Sequence, residues 1–387
     1  MRSRTRSIIA GFAALGLLAG SANAQTSGVS DTEIAVGSFN DLSGPFAAFG
    51  APAVKAAQMY IDEINAAGGV HGRKIRFIVE DHAYQMPKAI QAINKLIQRD
   101  QVFAMLLALG TPMNLQAFPL MTEKRIPSVN PLTAARQMLD PPIDLRFTGF
   151  TSYYDQIRAG IKYLKEKNNR TTLCTMFLPT DFGKEVQEGS KDEAKASGMT
   201  YKDETTHRPD ETDFVGSLQK LQASGCDLVA LALTVRQTIT AVGTAKRLGW
   251  TNVDFLTQSA GFHTAVARVP GGPTEGLYAG SGWVDLAGRL DKPGVKEWAE
   301  KFKAATGEDP GTGALLGRSA VETFVRALQA AGRDLTPDSF RKGMESLDYD
   351  DPISGNRINY SATDHQGGDA VIISVVKDGN WVELHRQ

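Results

Sequence analysis

The residues of this chain with the most chemical content are suited to binding rather than to catalysis. Gly110-Thr111-Pro112-Met113-Asn114 sets a glycine and a hydroxyl at the start of a helical pattern. Glycine lets a ligand approach the backbone, and the free N–H groups and dipole of a helix start favour an anion there. Asp41-Leu42-Ser43-Gly44-Pro45-Phe46-Ala47-Ala48-Phe49-Gly50 and Pro131-Leu132-Thr133-Ala134 offer similar mixtures. Taken singly, each loop reads at least as well as a plain helix cap or turn.

Catalytic signatures are missing. The sequence has no G-x-x-x-x-G-K-[ST], H-E-x-x-H or G-x-S-x-G pattern. Gly311-Thr312-Gly313 with Gly317 misses the dinucleotide spacing by one residue and reads as a loop. His71, His82, His207, His263, His365 and His385 show no metal-ligand spacing and read as surface or capping residues. Asp350 and Asp351 sit in a Pro/Gly-bounded stretch and read as solvated. No Ser/His or Cys/His pair can be nominated as nucleophile and base. A non-catalytic chain without a cofactor is the expectation.

Alternating strands and helices must position these loops. A strand is predicted at Glu33–Phe39, then a helix carrying Val54, Ala57, Ile61 and Ile64 at 3-4-3 spacing. Strand Ile75–Glu80, a helix with Ile90, Ile93 and Ile97, strand Val102–Leu107 and a helix over 114–123 follow. A second series opens near Tyr153 with Ile157, Ile161 and Leu164 on one face. It continues through strand Thr172–Phe177, a helix from Phe182, strand Thr200–Thr205 and a helix with Val215, Leu218 and Leu221. Strand Asp227–Leu233 and a helix over 238–248 close it. Such alternation implies parallel sheets covered on both faces, and two series imply two doubly wound lobes. The later segments, Leu277–Trp283 and helices from near Gly294, Leu315 and Pro337, are too few for a third core and read as additions to both lobes.

Length and composition agree with this organisation. Arg2, Arg4 and Arg6, an apolar run Ile8–Leu18 and Ala22-Asn23-Ala24 read as a cleavable signal peptide over 1–24, cut before Gln25. The run is too short to span about 30 Å of hydrocarbon. Roughly 360 residues then remain, large for one core. Removing three arginines from 42 basic residues leaves 39 against 43 acids, which gives no electrostatic reason to hold nucleic acid. Cys174 and Cys226, the two cysteines, stand near the starts of core strands. They could pair in an oxidising compartment, but two buried thiols are the favoured reading.

Tyr60-Ile61-Asp62-Glu63-Ile64-Asn65-Ala66-Ala67-Gly68-Gly69-Val70-His71-Gly72-Arg73-Lys74-Ile75, followed by Glu80-Asp81, closely resembles the periplasmic leucine/isoleucine/valine-binding protein family. Leu42-Ser43-Gly44-Pro45, Gly110-Thr111-Pro112-Met113-Asn114 and Asp181-Phe182-Gly183-Lys184 carry the same resemblance, which covers the chain beyond the leader. The resemblance implies a type I periplasmic binding fold, α/β, with two doubly wound parallel-sheet lobes joined by a three-segment hinge. It places 25–148 plus 278–352 in the N-terminal lobe and 149–277 plus 353–387 in the C-terminal lobe. It further implies a monomeric solute-binding protein that delivers its ligand to the membrane permease of an ABC importer.

By the same resemblance the ligand carboxylate falls at Gly110, Thr111, Leu132 and Thr133, and the aromatic cleft walls fall at Phe49 and Phe182. The family's acidic holders of an α-ammonium fall near Thr151 and near Ser259 or Ala260, and none of these is acidic. Tyr153 and Tyr154 are further candidates for closing over the ligand. Arg236 and Arg318 are read either as second basic groups of the cleft or as solvated helix starts. The expected ligand is therefore a small carboxylate with an apolar or aromatic body and no amine. A branched-chain or other amino acid in the same transport role, and a sensor of amides or other small molecules on the same fold, are the alternatives.

Overall fold

The computed structural model describes residues 26–387, so the expected leader and its cleavage point lie outside the described residues. The first lobe is built from β1 (Glu33–Asn40), α1 (Ala47–Ala66), β2 (Lys74–Asp81), α2 (Met86–Asn94), β3 (Ala104–Leu106), α3 (Thr111–Glu123), β4 (Ser128–Val129) and β5 (Arg146–Phe147). Its five strands lie in the order β2-β1-β3-β4-β5 and every pairing is parallel. β3 is buried throughout, as a central strand with helices on both faces must be.

The second lobe repeats that plan with α4 (Tyr153–Asn168), β6 (Thr172–Phe177), α5 (Asp181–Ser197), β7 (Thr200–Thr206), α6 (Val215–Ala223), β8 (Leu228–Ala232), α7 (Val235–Arg247), β9 (Asp254–Thr257), α8 (Thr264–Ala267) and β10 (Tyr278–Ser281). The run β7-β6-β8-β9-β10 has the same strand order as the first sheet. The chain then adds α9 (Lys296–Thr306), α10 (Thr312–Ala331), α11 (Pro337–Glu345), β11 (Asp348–Asp351), β12 (Asn356–Asn359), β13 (Ile372–Lys377) and β14 (Asn380–Arg386). β13 and β14 form a hairpin that extends the second sheet antiparallel to β10. The chain passes between the lobes at 148–152, 282–295 and 361–371.

Two boundaries differ from the expectation. β10, expected in the first lobe, pairs with β9 in the second sheet. β12, expected in the second lobe, pairs with β11, and Ile358 and Tyr360 pack in the first-lobe core beside Phe147 and Phe340. β10 is placed by the edge that β9 offers it, whereas β12 forms a separate two-stranded sheet with β11 and is placed by the apolar packing of Ile358 and Tyr360.

Glycine spacing near 313 also has another meaning. α10 starts at Thr312, and a Cβ on Gly317 would lie 2.0 Å from the Ala53 carbonyl oxygen of α1. One on Gly313 would lie 2.5 Å from Pro52 Cγ. These glycines let α1 and α10 pack backbone to backbone, where the sequence had suggested a loop.

Cys174 and Cys226 are joined in a disulfide, with Cα atoms 5.9 Å apart, which corrects the expectation of two thiols. Parallel pairing of β6 with β8 aligns Leu173 with Leu228 and brings the two cysteines within bonding reach. Asp351 is likewise buried rather than solvated: it accepts from Ser319 Oγ at 2.6 Å and from the Ile353 N–H at 2.9 Å. Four of the histidines, His82, His207, His263 and His365, are buried; His263 caps α8, and the surface reading fails for this group.

Candidate ligand-binding cleft

A doubly wound sheet presents its binding crevice beyond the carboxyl ends of the strands, where the strand order reverses. The carboxyl ends of both sheets face one cleft that encloses about 810 Å³, its mouth included. The first lobe contributes Phe46 and Phe49 after β1, Leu107 and Leu109 to Thr111 after β3, and Asn130 to Ala134 after β4. Phe182 enters after β6, Ser259 and Ala260 after β9, and Trp283 after β10.

The polar pole lies at the first-lobe wall. Gly110 adopts φ 101°, a left-handed conformation that turns the chain directly into α3. Thr111 Oγ1 and Thr133 Oγ1 lie 2.7 Å apart, both buried, so these two hydroxyls from separate strand ends share one proton bridge. Asn114 Nδ2 fastens the turn by donating to the carbonyls of Ala108 at 3.0 Å and Gly110 at 2.8 Å. His82 holds the same loop from outside: its Nδ1 accepts from the Tyr84 N–H, which leaves Nε2–H to donate to the Leu109 carbonyl. Burial lowers the pKa of His82 and so favours this neutral form.

Aromatic rings line both lobes around this pole. Phe182 stands edge-on to Tyr153 at 5.1 Å and to Phe46 at 6.1 Å, so rings of both lobes meet across the cleft. Phe150 and Trp283 pack at 5.2 Å toward the hinge. Tyr153, fully enclosed, has its phenol pushed up to about 12 by burial. Ser259 is already engaged, its N–H and Oγ both donating to Gln156 Oε1. Among the described residues no Asp, Glu, Lys, Arg or His lines the cavity.

The structure brings together eight of the candidates from the sequence: Phe49, Gly110, Thr111, Leu132, Thr133, Tyr153, Phe182 and Ser259 all line the cavity. Four do not. Thr151 is buried behind the wall, where its carbonyl accepts from Gln156 Nε2. Tyr154 points outward and donates to Asp192 Oδ2 at 2.6 Å. Arg236 is an exposed residue of the first turn of α7, a turn closed by the Thr234–Gln237 capping box. Arg318 lies 3.3 Å above the Tyr60 ring and pairs with Glu322, on the α1-facing side of α10. Its neighbour Ser319, about 100° further round the helix, reaches the cavity instead.

Tyr84, Asn130, Phe150, Trp283, Leu316 and Ala320 line the cavity without having been anticipated. Phe150 and Trp283 lie within two of the segments that cross between lobes, so only the chain path brings them to the cleft. Asn130 carried a signal: its φ of 43° suits asparagine, and it stands one residue after a strand end.

The fold and cleft define a two-lobed binding protein. The family model described as periplasmic binding protein matches residues 33–380, and the chain belongs to that family. The resemblance drawn from the sequence motifs therefore holds. The chain is 22% identical over 324 residues to the leucine-, isoleucine-, valine-, threonine- and alanine-binding protein of Pseudomonas aeruginosa, spanning 81% of this chain and 82% of that protein. A branched-chain amino-acid ABC transporter protein from Thermus thermophilus with bound valine superposes at TM-score 0.83 with 20% identity, covering 92% of this chain and 96% of that one. A solute-binding protein of an ABC transporter from R. palustris in complex with benzoate does so at TM-score 0.80 with 17% identity, covering 92% and 96%. These structural likenesses carry the fold; the family consists of solute-binding proteins.

Proposed function

We propose that this chain captures a small carboxylate with an apolar or aromatic body and no amine, and delivers it to the permease of an ABC importer. The observation that carries this reading is that, among the described residues, none with a charged side chain lines the cavity walled by Phe46, Phe49, Phe150, Phe182 and Trp283. A ligand ammonium closed into it would lose its hydration without a counter-charge, at a cost of several kcal/mol. A carboxylate would instead meet the Thr111–Thr133 hydroxyls and the positive end of α3. The solved relative bound to benzoate supports such a ligand, and the one bound to valine keeps the amino-acid alternative in view. Export by the signal peptide over 1–24 and residence in the periplasm belong to the same reading.

A thermal-shift screen of the purified protein against benzoate, hydroxybenzoates, medium-chain aliphatic acids, benzamide and leucine tests it. Stabilisation by the acids is expected, since binding to the folded state alone raises its melting temperature. A large shift with leucine alone would sink the proposal. A shift with benzamide alone would favour an amide sensor.

A further inference from the structure

One first-lobe side chain crosses to the second lobe beside the cleft. Arg136 follows directly on the cavity-lining stretch Pro131 to Ala134, in a single 3-10 turn. Its backbone N–H donates to Glu185 Oε1 at 2.8 Å, and its Nε donates to the same oxygen at 3.2 Å. Nη2 reaches Glu188 Oε2 at 3.0 Å, and the guanidinium carbon lies 3.5 Å from the centre of the Tyr154 ring. Glu185 and Glu188 stand on α5 and Tyr154 on α4, so every partner belongs to the second lobe.

Glu185 is an unusual partner. Its side chain is fully buried whereas that of Arg136 is 40% exposed, and its Oε2 has no hydrogen-bond partner. Burial raises its pKa, with Arg136 pulling the other way. The ion pair therefore adds little attraction of its own. Its effect lies in the alternative: a buried carboxylate stripped of its partner is far costlier than the pair. When the lobes part, water takes the place of Arg136. Closure is thus penalised by Glu185 unless Arg136 arrives with it.

We propose that Arg136 is a positioning residue that licenses lobe closure, coupling the ligand loop to the second lobe. The inference rests on the reading of this chain as a binder that closes on its ligand. The coupling is short-ranged on both sides. The Ala135 N–H donates to Thr133 Oγ1, one residue before Arg136, and Phe182 lines the cavity one helical turn before Glu185. A loop displaced by a poorly fitting ligand would carry Arg136 away from Glu185. Fit at the polar pole is thereby converted into closure.

Stopped-flow kinetics with benzoate as the probe, on wild type, R136A, E185Q and the double variant R136A/E185Q, test the proposal. R136A should release benzoate about tenfold faster or more, with an association rate close to wild type. The double variant should regain much of the lost retention, because no buried charge is then left unpaired. Unchanged release in R136A, or a loss confined to association, would overturn the proposal, as would a double variant no better than R136A. If benzoate does not bind the wild type, the ligand proposal fails and small-angle scattering of the same proteins decides. A larger radius of gyration in R136A, reversed in the double variant, supports the latch, and identical curves sink it. Thermal unfolding of unliganded R136A should match wild type, since with the lobes apart water solvates Glu185 whether or not Arg136 is present.

Discussion

The two walls of the cleft are built from the same strand order and yet do different work. The first-lobe wall presents hydroxyls and a helix start, with Gly110, Thr111 and Thr133 within one hydrogen-bonded cluster. Both walls carry rings, Phe46 and Phe49 on the first and Tyr153 and Phe182 on the second, but on the second the Ser259 hydroxyl is already bonded within its own lobe. The difference teaches that two lobes of one architecture can differ in which of them leaves its polar groups turned toward the cleft. On the proposed reading, the first lobe selects the charged end of the ligand and both lobes cover its body. Reinforcement follows the same division: the disulfide Cys174–Cys226 staples β6 to the strand beside it, wholly within the second lobe.

The largest expected effect sharpens that asymmetry. Replacing both cysteines by alanine frees a loop of 52 residues and should destabilise the second lobe by about 4 kcal/mol on the chain-entropy model. Denaturant unfolding followed in each lobe separately would show it, and equal loss in the first lobe would contradict the division. Ligand affinity should hold wherever the variant remains folded.

His263 gives the next effect. Its Nε2 lies 3.2 Å from the Ala48 carbonyl of the first lobe, and its ring stands edge-on to Phe49 at 4.8 Å. Burial lowers its pKa to about 4 from 6.5. The unfolded chain takes up this proton near 6.5 and the folded chain only near 4. The stability that His263 contributes is therefore complete above about 6.5 and is lost as pH falls toward 4, at most on the order of 3 kcal/mol. H263Q should flatten that part of the stability–pH curve, and an unaltered slope in the variant would show that His263 is not its source.

Smaller effects probe the first-lobe wall directly. Thr111→Val removes one hydroxyl of the pair with little change in volume. If the wall holds a carboxylate, calorimetry with benzoate should show about tenfold or more weaker binding, in line with about 1.5–3 kcal/mol for a hydrogen bond to a charged group. An affinity within error of wild type would break the assignment of the polar pole. Arg236→Ala should change affinity by no more than about 0.5 kcal/mol, as exposed substitutions do. A marked loss there would mean that the second lobe also selects by charge.

Most of the fold was legible because helices and buried strands write their periods into the chain. β6 was anticipated at its observed bounds, Thr172–Phe177, and α1, α4 and α6 stand where their apolar spacing placed them. β9 and the β13–β14 hairpin were not anticipated. β9 is four residues long, too short for alternation to register, and β14 buries Trp381 but exposes Val382 and Leu384, against the usual pattern. At the cleft, loops at strand ends were legible from glycine, hydroxyl and helix start together. Tyr153 and Tyr154 show the limit: adjacent helical residues differ by about 100° in direction, and only packing tells which faces the ligand.

Sequence alone determined the alternation of strands and helices in two series, the two-lobe plan and the glycine, hydroxyl and helix start at Gly110–Thr111, because each depends on neighbours within a few residues. Tertiary structure alone decided the disulfide, the placing of β10 and β12, the arrival of Trp283 and Phe150 at the cleft, and the Arg136–Glu185 contact. Each of these joins residues far apart in the chain or on different elements, and no local pattern encodes which distant partner a side chain will meet.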